Sequence, residues 1–170
     1  MRKYLILVLL LSFAGSLSAQ RPITLTDYRP LKEFGTDTLA YVQNNWGIHS
    51  KSTQRYHGKT FGDFFNDYEL PIIDIDFQMQ SDNSRLAAVG FYFRSLEHIK
   101  RHSLYLGDYC VGVFIKWPEG GEDPAPTYTE LAPILNGKDP QTQSFPWREE
   151  YRELMKDWLI QDVLYQGKWW

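Results

Sequence analysis

Two aspartates, Asp74 and Asp76, come closest in this chain to a catalytic arrangement. They alternate with Ile73, Ile75 and Phe77, and this period of two places both carboxylates on one face of a β-strand. Side chains two positions apart on a strand lie about 6–7 Å from each other, within the range used by the paired carboxylates of glycosidases. Acid–base catalysis also needs a dry pocket that raises one of the two pKa values, and the sequence indicates no such pocket. A small hydrolase that uses Asp74 or Asp76 is therefore an alternative rather than the main expectation.

The other chemically capable residues form no complete motif. His98 and His102 have the four-residue spacing that puts two imidazoles on one helix face, as in many zinc sites. A third ligand is missing, and the cations Lys100 and Arg101 stand between the two histidines. Cys110 is the only cysteine, lies in an apolar run, and is expected to be a buried thiol without a disulfide partner. We therefore expect no cofactor and no metal.

The elements that must position these residues follow from a change of period along the chain. Apolar residues three and four apart predict a helix over residues 37–46, capped by Thr36, and a second one after Thr60. Alternating residues then predict strands over 72–80, 86–94 and 109–117, with a turn at 81–84. A brief helix is expected over 95–102.

The last predicted element is the longest helix, over residues 146–159. Trp147, Tyr151, Leu154 and Trp158 step by four, three and four positions and form an apolar stripe. The same pattern allows this helix to continue to Tyr165, or to be followed by a short strand near residue 163.

These elements predict one α+β domain over residues 20–170. Its sheet is expected to be small and mainly antiparallel, with three or four strands, two N-terminal helices and a long C-terminal helix packed on it. At the level of element order, residues 37–117 resemble the helix-helix-three-strand plan of small bacterial envelope domains such as the β-lactamase-inhibitor-like folds. This resemblance implies a general architecture and no activity.

The strand alternation also assigns the two faces of the predicted sheet. The core face is expected to carry the large apolar residues Ile73, Ile75, Phe77, Val89, Phe91, Phe93, Val111, Val113 and Ile115. The opposite face carries Gly90 and Gly112 in mid-strand, and glycine there indicates that something approaches the backbone closely. One interpretation is a ligand-binding groove with Tyr92 and Phe114 as walls, Asp74 and Asp76 as polar contacts, and the 118–126 loop at its border. The other is a helix packed on this face; we name the final helix, with Tyr151, Leu154 and Trp158, as the competing occupant.

Residues 1–19 have the plan of a secretory signal peptide: a basic start, an apolar run and small residues before Gln20. The formal net charge is −3, and it becomes −5 without this leader, which holds two basic and no acidic residues. A mildly acidic chain is not expected to bind nucleic acid. No membrane span is expected after cleavage.

We therefore expect an exported, secreted or periplasmic protein. Its expected function is that of a non-enzymatic binding or interaction domain of the bacterial envelope, with an unknown protein or small ligand as partner. One variant is an immunity or inhibitor protein whose acidic surface neutralises a basic toxin or enzyme.

Overall fold

The computed structural model describes residues 25–79, 85–102, 104–116, 127–135, 144–165 and 167. The predicted leader at 1–19, the turn at 81–84 and the loop at 118–126 lie outside these residues. The helices are α1 (Thr38–Trp46), α2 (Ser52–Tyr56), α3 (Phe61–Asp67), α4 (Leu96–Arg101), α5 (Tyr128–Ile134) and α6 (Glu149–Met155). The strands are β1 (Asp74–Met79), β2 (Leu86–Tyr92), β3 (Cys110–Ile115), β4 (Phe145–Pro146) and β5 (Ile160–Tyr165).

The five described strands form one antiparallel sheet in the order β4-β1-β2-β3-β5. The three strands predicted from alternation are confirmed, and each lies within its predicted range. The helix predicted after Thr60 is also confirmed. The structure adds a capping box, in which the Thr60 side chain accepts a hydrogen bond from the Asp63 N–H and the Asp63 carboxylate accepts one from the Thr60 N–H. Helix α1 is capped by Asp37 rather than by Thr36.

The predicted sheet of three or four strands with a long C-terminal helix is wrong. Helix α6 has only seven residues and begins at Glu149, because residues 145–146 pair with β1 as an edge strand. The chain turns after Met155 and returns as β5 along the outer edge of β3. This pairing satisfies the backbone groups of an edge that a three-stranded sheet would leave without partners.

The main core lies between one face of the sheet and the helices α1, α2, α3, α5 and α6. Every residue of the predicted core face belongs to it except Ile73, which precedes β1 and is 39% exposed. The core is rich in aromatic rings, and Trp46, Phe64 and Phe91 are fully buried in edge-on or tilted contacts. Tyr151 and Trp158 also pack here, so α6 does not cover the opposite face. Within the described residues, no helix is long and apolar enough to cross a membrane.

Candidate functional site

The structure places all four predicted site residues on the sheet face that lies away from the main core. Asp74 pairs with Tyr92 across β1 and β2, Asp76 pairs with Gly90, and Phe114 pairs with Ala88 across β2 and β3. The Tyr92 hydroxyl donates a hydrogen bond of 3.1 Å to Asp76 Oδ2. The four residues therefore share one face, but their surroundings differ.

Helix α4 covers the end of this face. Its Leu96 and Ile99 pack on Tyr92 and Cys110 in a small second core, and Tyr92 is only 3% exposed. The Ser95 side chain caps the helix, and Asp74 Oδ2 accepts a hydrogen bond of 2.7 Å from the Leu96 N–H. Asp74 thus fixes the start of α4 to the sheet.

The space beside Gly90 is filled rather than open. An ideal Cβ on Gly90 would lie 2.0 Å from Asp76 Oδ1 and 3.1 Å from the Cys110 sulfur. Burial raises the pKa of Asp76 against the opposing effect of its hydrogen bond with Tyr92, and burial also raises the pKa of the Cys110 thiol. The thiol is fully buried, whereas a reactive cysteine has an accessible thiol of lowered pKa. The Cys110 thiol therefore lacks both features of a reactive cysteine.

Phe114 is half-buried, as are Asp74 and Asp76. The 118–126 loop that was expected to border the groove lies outside the described residues. A ligand-binding role for Asp74, Asp76, Tyr92 and Phe114 therefore stays a prediction.

A surface that sequence reasoning missed lies directly after α4. We call it the apolar corner and define it by Leu104, Tyr105 and Leu106, which are 37%, 48% and 42% exposed. The Leu104 N–H donates to the Ile99 carbonyl, so the corner lies against the C-terminal end of α4. Single exposed apolar residues are common, but here three large ones follow one another in the chain. In the sequence, the corner is visible only as a short apolar run before Gly107. This run has neither the period of a helix nor that of a strand.

The edge of the apolar corner is cationic. Lys100 and Arg101 lie in the last turn of α4, and the guanidinium of Arg94 lies 5.7 Å from the centre of the Tyr109 ring. Arg101 forms an ion pair with Glu97. Residues 94–106 thus carry three cations and one carboxylate in a chain whose net charge is −3.

A cleft lies between the N-terminal arm, which we define as residues 25–30, and α2. This cleft of about 230 Å³ is lined by Asp27, Tyr28, Asn45, Lys51, Ser52, Gln54 and Arg55. Arg55 stacks 4.2 Å from the Tyr28 ring centre and forms an ion pair of 2.7 Å with Asp67, while Lys51 pairs with Asp27 at 2.7 Å. The contacts of Arg55 with Tyr28 and of Lys51 with Asp27 hold the arm against the start of α2. Their charges are already paired within the fold.

His98 lies in α4 and is half-buried, and His102 directly follows the helix and is exposed; their ring centres are 4.3 Å apart. In the part of the chain that the structure describes, no group of three or more His, Cys, Asp or Glu side chains is placed to hold a metal ion.

Comparison with known proteins gives no assignment. No family model matches the chain, and no curated protein or solved structure matches it.

Proposed function

We propose that this chain is an exported, non-enzymatic binding domain that recognises a protein partner through the apolar corner. The observation that carries the proposal is the run of three large, exposed side chains at Leu104, Tyr105 and Leu106. Contiguous apolar patches of this kind mark interaction sites, and tyrosine is among the residues that contribute most at protein interfaces.

The contacts of the chemically capable residues support a non-enzymatic role. Asp74 is engaged by the backbone of α4, and Asp76 accepts a hydrogen bond from Tyr92. Cys110 is buried beneath Leu96 and Ile99. These groups stabilise the outer face of the sheet, so the hydrolase alternative gains no support from their geometry.

The charge around the apolar corner favours a partner with an acidic surface. Arg94, Lys100 and Arg101 outnumber by one the carboxylates of Glu97 and Asp108 near the corner. Complementary charge at the edge of an apolar contact increases the rate of association and the specificity of docking. The immunity-protein variant calls for a basic partner, and would have to use a different, acidic surface of this chain.

Export rests on residues 1–19, whose basic start, apolar run and small-residue end suit cleavage near Ala19. Intact-mass measurement of the protein from the envelope fraction tests this part of the proposal. Loss of the first 18 or 19 residues is expected, and a membrane-bound protein that retains Met1 would contradict it.

Partner capture with matched surface variants tests the binding proposal. The double variant Leu104→Ser/Leu106→Ser removes apolar contact area from the corner, and Ile48→Ser makes the same kind of change at another exposed position (51% exposed). Surface changes of this type alter stability by only about 0.5 kcal/mol, so both variants should fold.

We expect the wild type and Ile48→Ser to capture the same partner, and the corner variant to lose at least about tenfold of that capture, as loss of an interface anchor does. Lys100→Glu should weaken the same capture, most clearly at low salt. Equal capture by all variants, or equal loss in Ile48→Ser, would contradict the proposed surface.

A further inference from the structure

Helix α4 and the residue that follows it carry a pair of imidazoles that do not belong to either hydrophobic core. His98 is half-buried and His102 is exposed, and they are separated by one helical turn. Their ring centres lie 4.3 Å apart and their planes are inclined by 32°. Two imidazoles at this spacing on one helix face can reach the same metal ion. We propose that His98 and His102 form a two-imidazole site for a divalent transition metal ion of the Zn²⁺, Ni²⁺ and Cu²⁺ class.

The orientation of His102 suits a metal ligand. Its Nδ1 lies 3.0 Å from the backbone carbonyl oxygen of His98. When Nδ1–H donates to that carbonyl, the lone pair is on Nε2, which is the nitrogen left to bind a metal. A backbone carbonyl that fixes the tautomer of a ligating histidine in this way is a common feature of metal sites.

Desolvation, together with the neighbouring side chains of His102, Arg94 and Arg101, lowers the pKa of His98. The neutral imidazole is the form that binds a metal.

The neighbouring charges and the number of protein ligands determine how tightly this site binds a metal. Arg94 and Arg101 repel a cation, although Arg101 is partly offset by its ion pair with Glu97. Two protein ligands also leave further coordination positions for water or for an oxygen ligand from outside. The site is thus expected to be open and exchangeable, and it takes its metal preference from imidazole.

Titration of the untagged mature chain with Ni²⁺ at pH 7.5 tests this inference. Ni²⁺ is redox-inert toward the thiol and paramagnetic, so calorimetry gives the affinity and NMR line broadening gives the position. We expect one saturable site whose broadening centres on α4. Single His98→Ala and His102→Ala variants should each weaken binding by at least about tenfold, since each removes one of two ligands.

A spacing control separates this site from general histidine affinity. The variant Lys100→His/His102→Ala keeps the number of histidines but sets them two residues apart, about 200° around the helix. We expect it to bind as weakly as His102→Ala alone. The inference would be overturned by wild-type affinity in the spacing control or in the His98→Ala/His102→Ala double variant. Absence of saturable wild-type binding up to millimolar Ni²⁺ would overturn it as well.

Discussion

Gly90 gives the sharpest prediction, because its missing side chain makes room for two others. A Cβ at this position would lie 2.0 Å from Asp76 Oδ1 and 3.1 Å from the Cys110 sulfur. In Gly90→Ala the Asp76 carboxylate must therefore move, and it loses the 3.1 Å hydrogen bond from Tyr92. The thiol has to shift only by a few tenths of an ångström.

The size of the effect follows from three contributions. Overpacking a filled interior costs about 1–3 kcal/mol. Loss of a hydrogen bond to the carboxylate adds about 1 kcal/mol or more. The lower entropy of alanine in the unfolded chain offsets about 0.5–1 kcal/mol of this destabilisation. Gly90→Ala should thus lower the free energy of unfolding by about 2 kcal/mol.

A double-mutant cycle assigns this loss to the contact with Asp76. In an Asp76→Ala background the obstructing carboxylate is absent, so Gly90→Ala should cost less than about 0.5 kcal/mol. Urea unfolding followed by tryptophan fluorescence measures all four free energies. If Gly90→Ala left the free energy of unfolding unchanged in the wild-type background, the outer face would not be filled as described. An equal loss of free energy in the wild-type and Asp76→Ala backgrounds would contradict it as well.

Further predictions concern buried groups on the outer face of the sheet and the ion pair of Arg55. Burial raises the pKa of Asp76 above 3.8, so the stability it contributes is complete below pH 3.8 and is lost as the pH rises through the raised value. Urea unfolding between pH 3 and 8 should show this dependence in the wild type; an unchanged profile in Asp76→Asn would contradict it. Asp74→Ala should cost about 1–2 kcal/mol and speed amide exchange in α4, because the Leu96 N–H loses its acceptor; unchanged exchange would argue against this anchor. Cys110 should react with an aromatic disulfide reagent at least about a hundredfold more slowly in the native state than in denaturant, since its thiol is buried; comparable rates would contradict its burial. Arg55→Ala removes a partly exposed ion pair at the end of α3 and should cost about 1 kcal/mol by urea unfolding; a loss near zero would show that the arm is held by other contacts.

Strand β1 was predictable because apolar and polar residues alternate along it in the sequence. In β1, Ile75 and Phe77 face the core while Asp74 and Asp76 face away from it. The start of α3 was also predictable, because it is stabilised by residues three positions apart, Thr60 and Asp63. Both elements depend on residues that are close together in the sequence.

The last third of the chain was not predictable in the same way. Ile160, Val163 and Tyr165 are buried in β5 at irregular spacing, because the pairing with β3 shifts between Phe114 and Ile115. The stripe that ends at residue 158 allowed either a longer helix or a strand beyond it. Residues 160–165 form a strand because they pair with the free edge of β3, which lies more than forty residues earlier in the chain.

The site was predictable only in part, for a related reason. Alternation brought Asp76, Tyr92 and Phe114 to one face, but the cover over Tyr92 comes from two side chains of a short helix, Leu96 and Ile99. The apolar corner left no periodic signal, because its exposure depends on how the chain leaves α4.

Site-specific photo-crosslinking in living cells tests most directly whether the corner, rather than the sheet face, meets a partner. A benzoylphenylalanine is placed in turn at Tyr105 in the corner, at Phe114 on the sheet face and at Ile48 on a distant surface. We predict an adduct of discrete mass from position 105 only, and a lower yield of that adduct when Lys100→Glu is added. An adduct from position 114 but not from 105, or equal adducts from 105 and 48, would contradict the proposed binding surface.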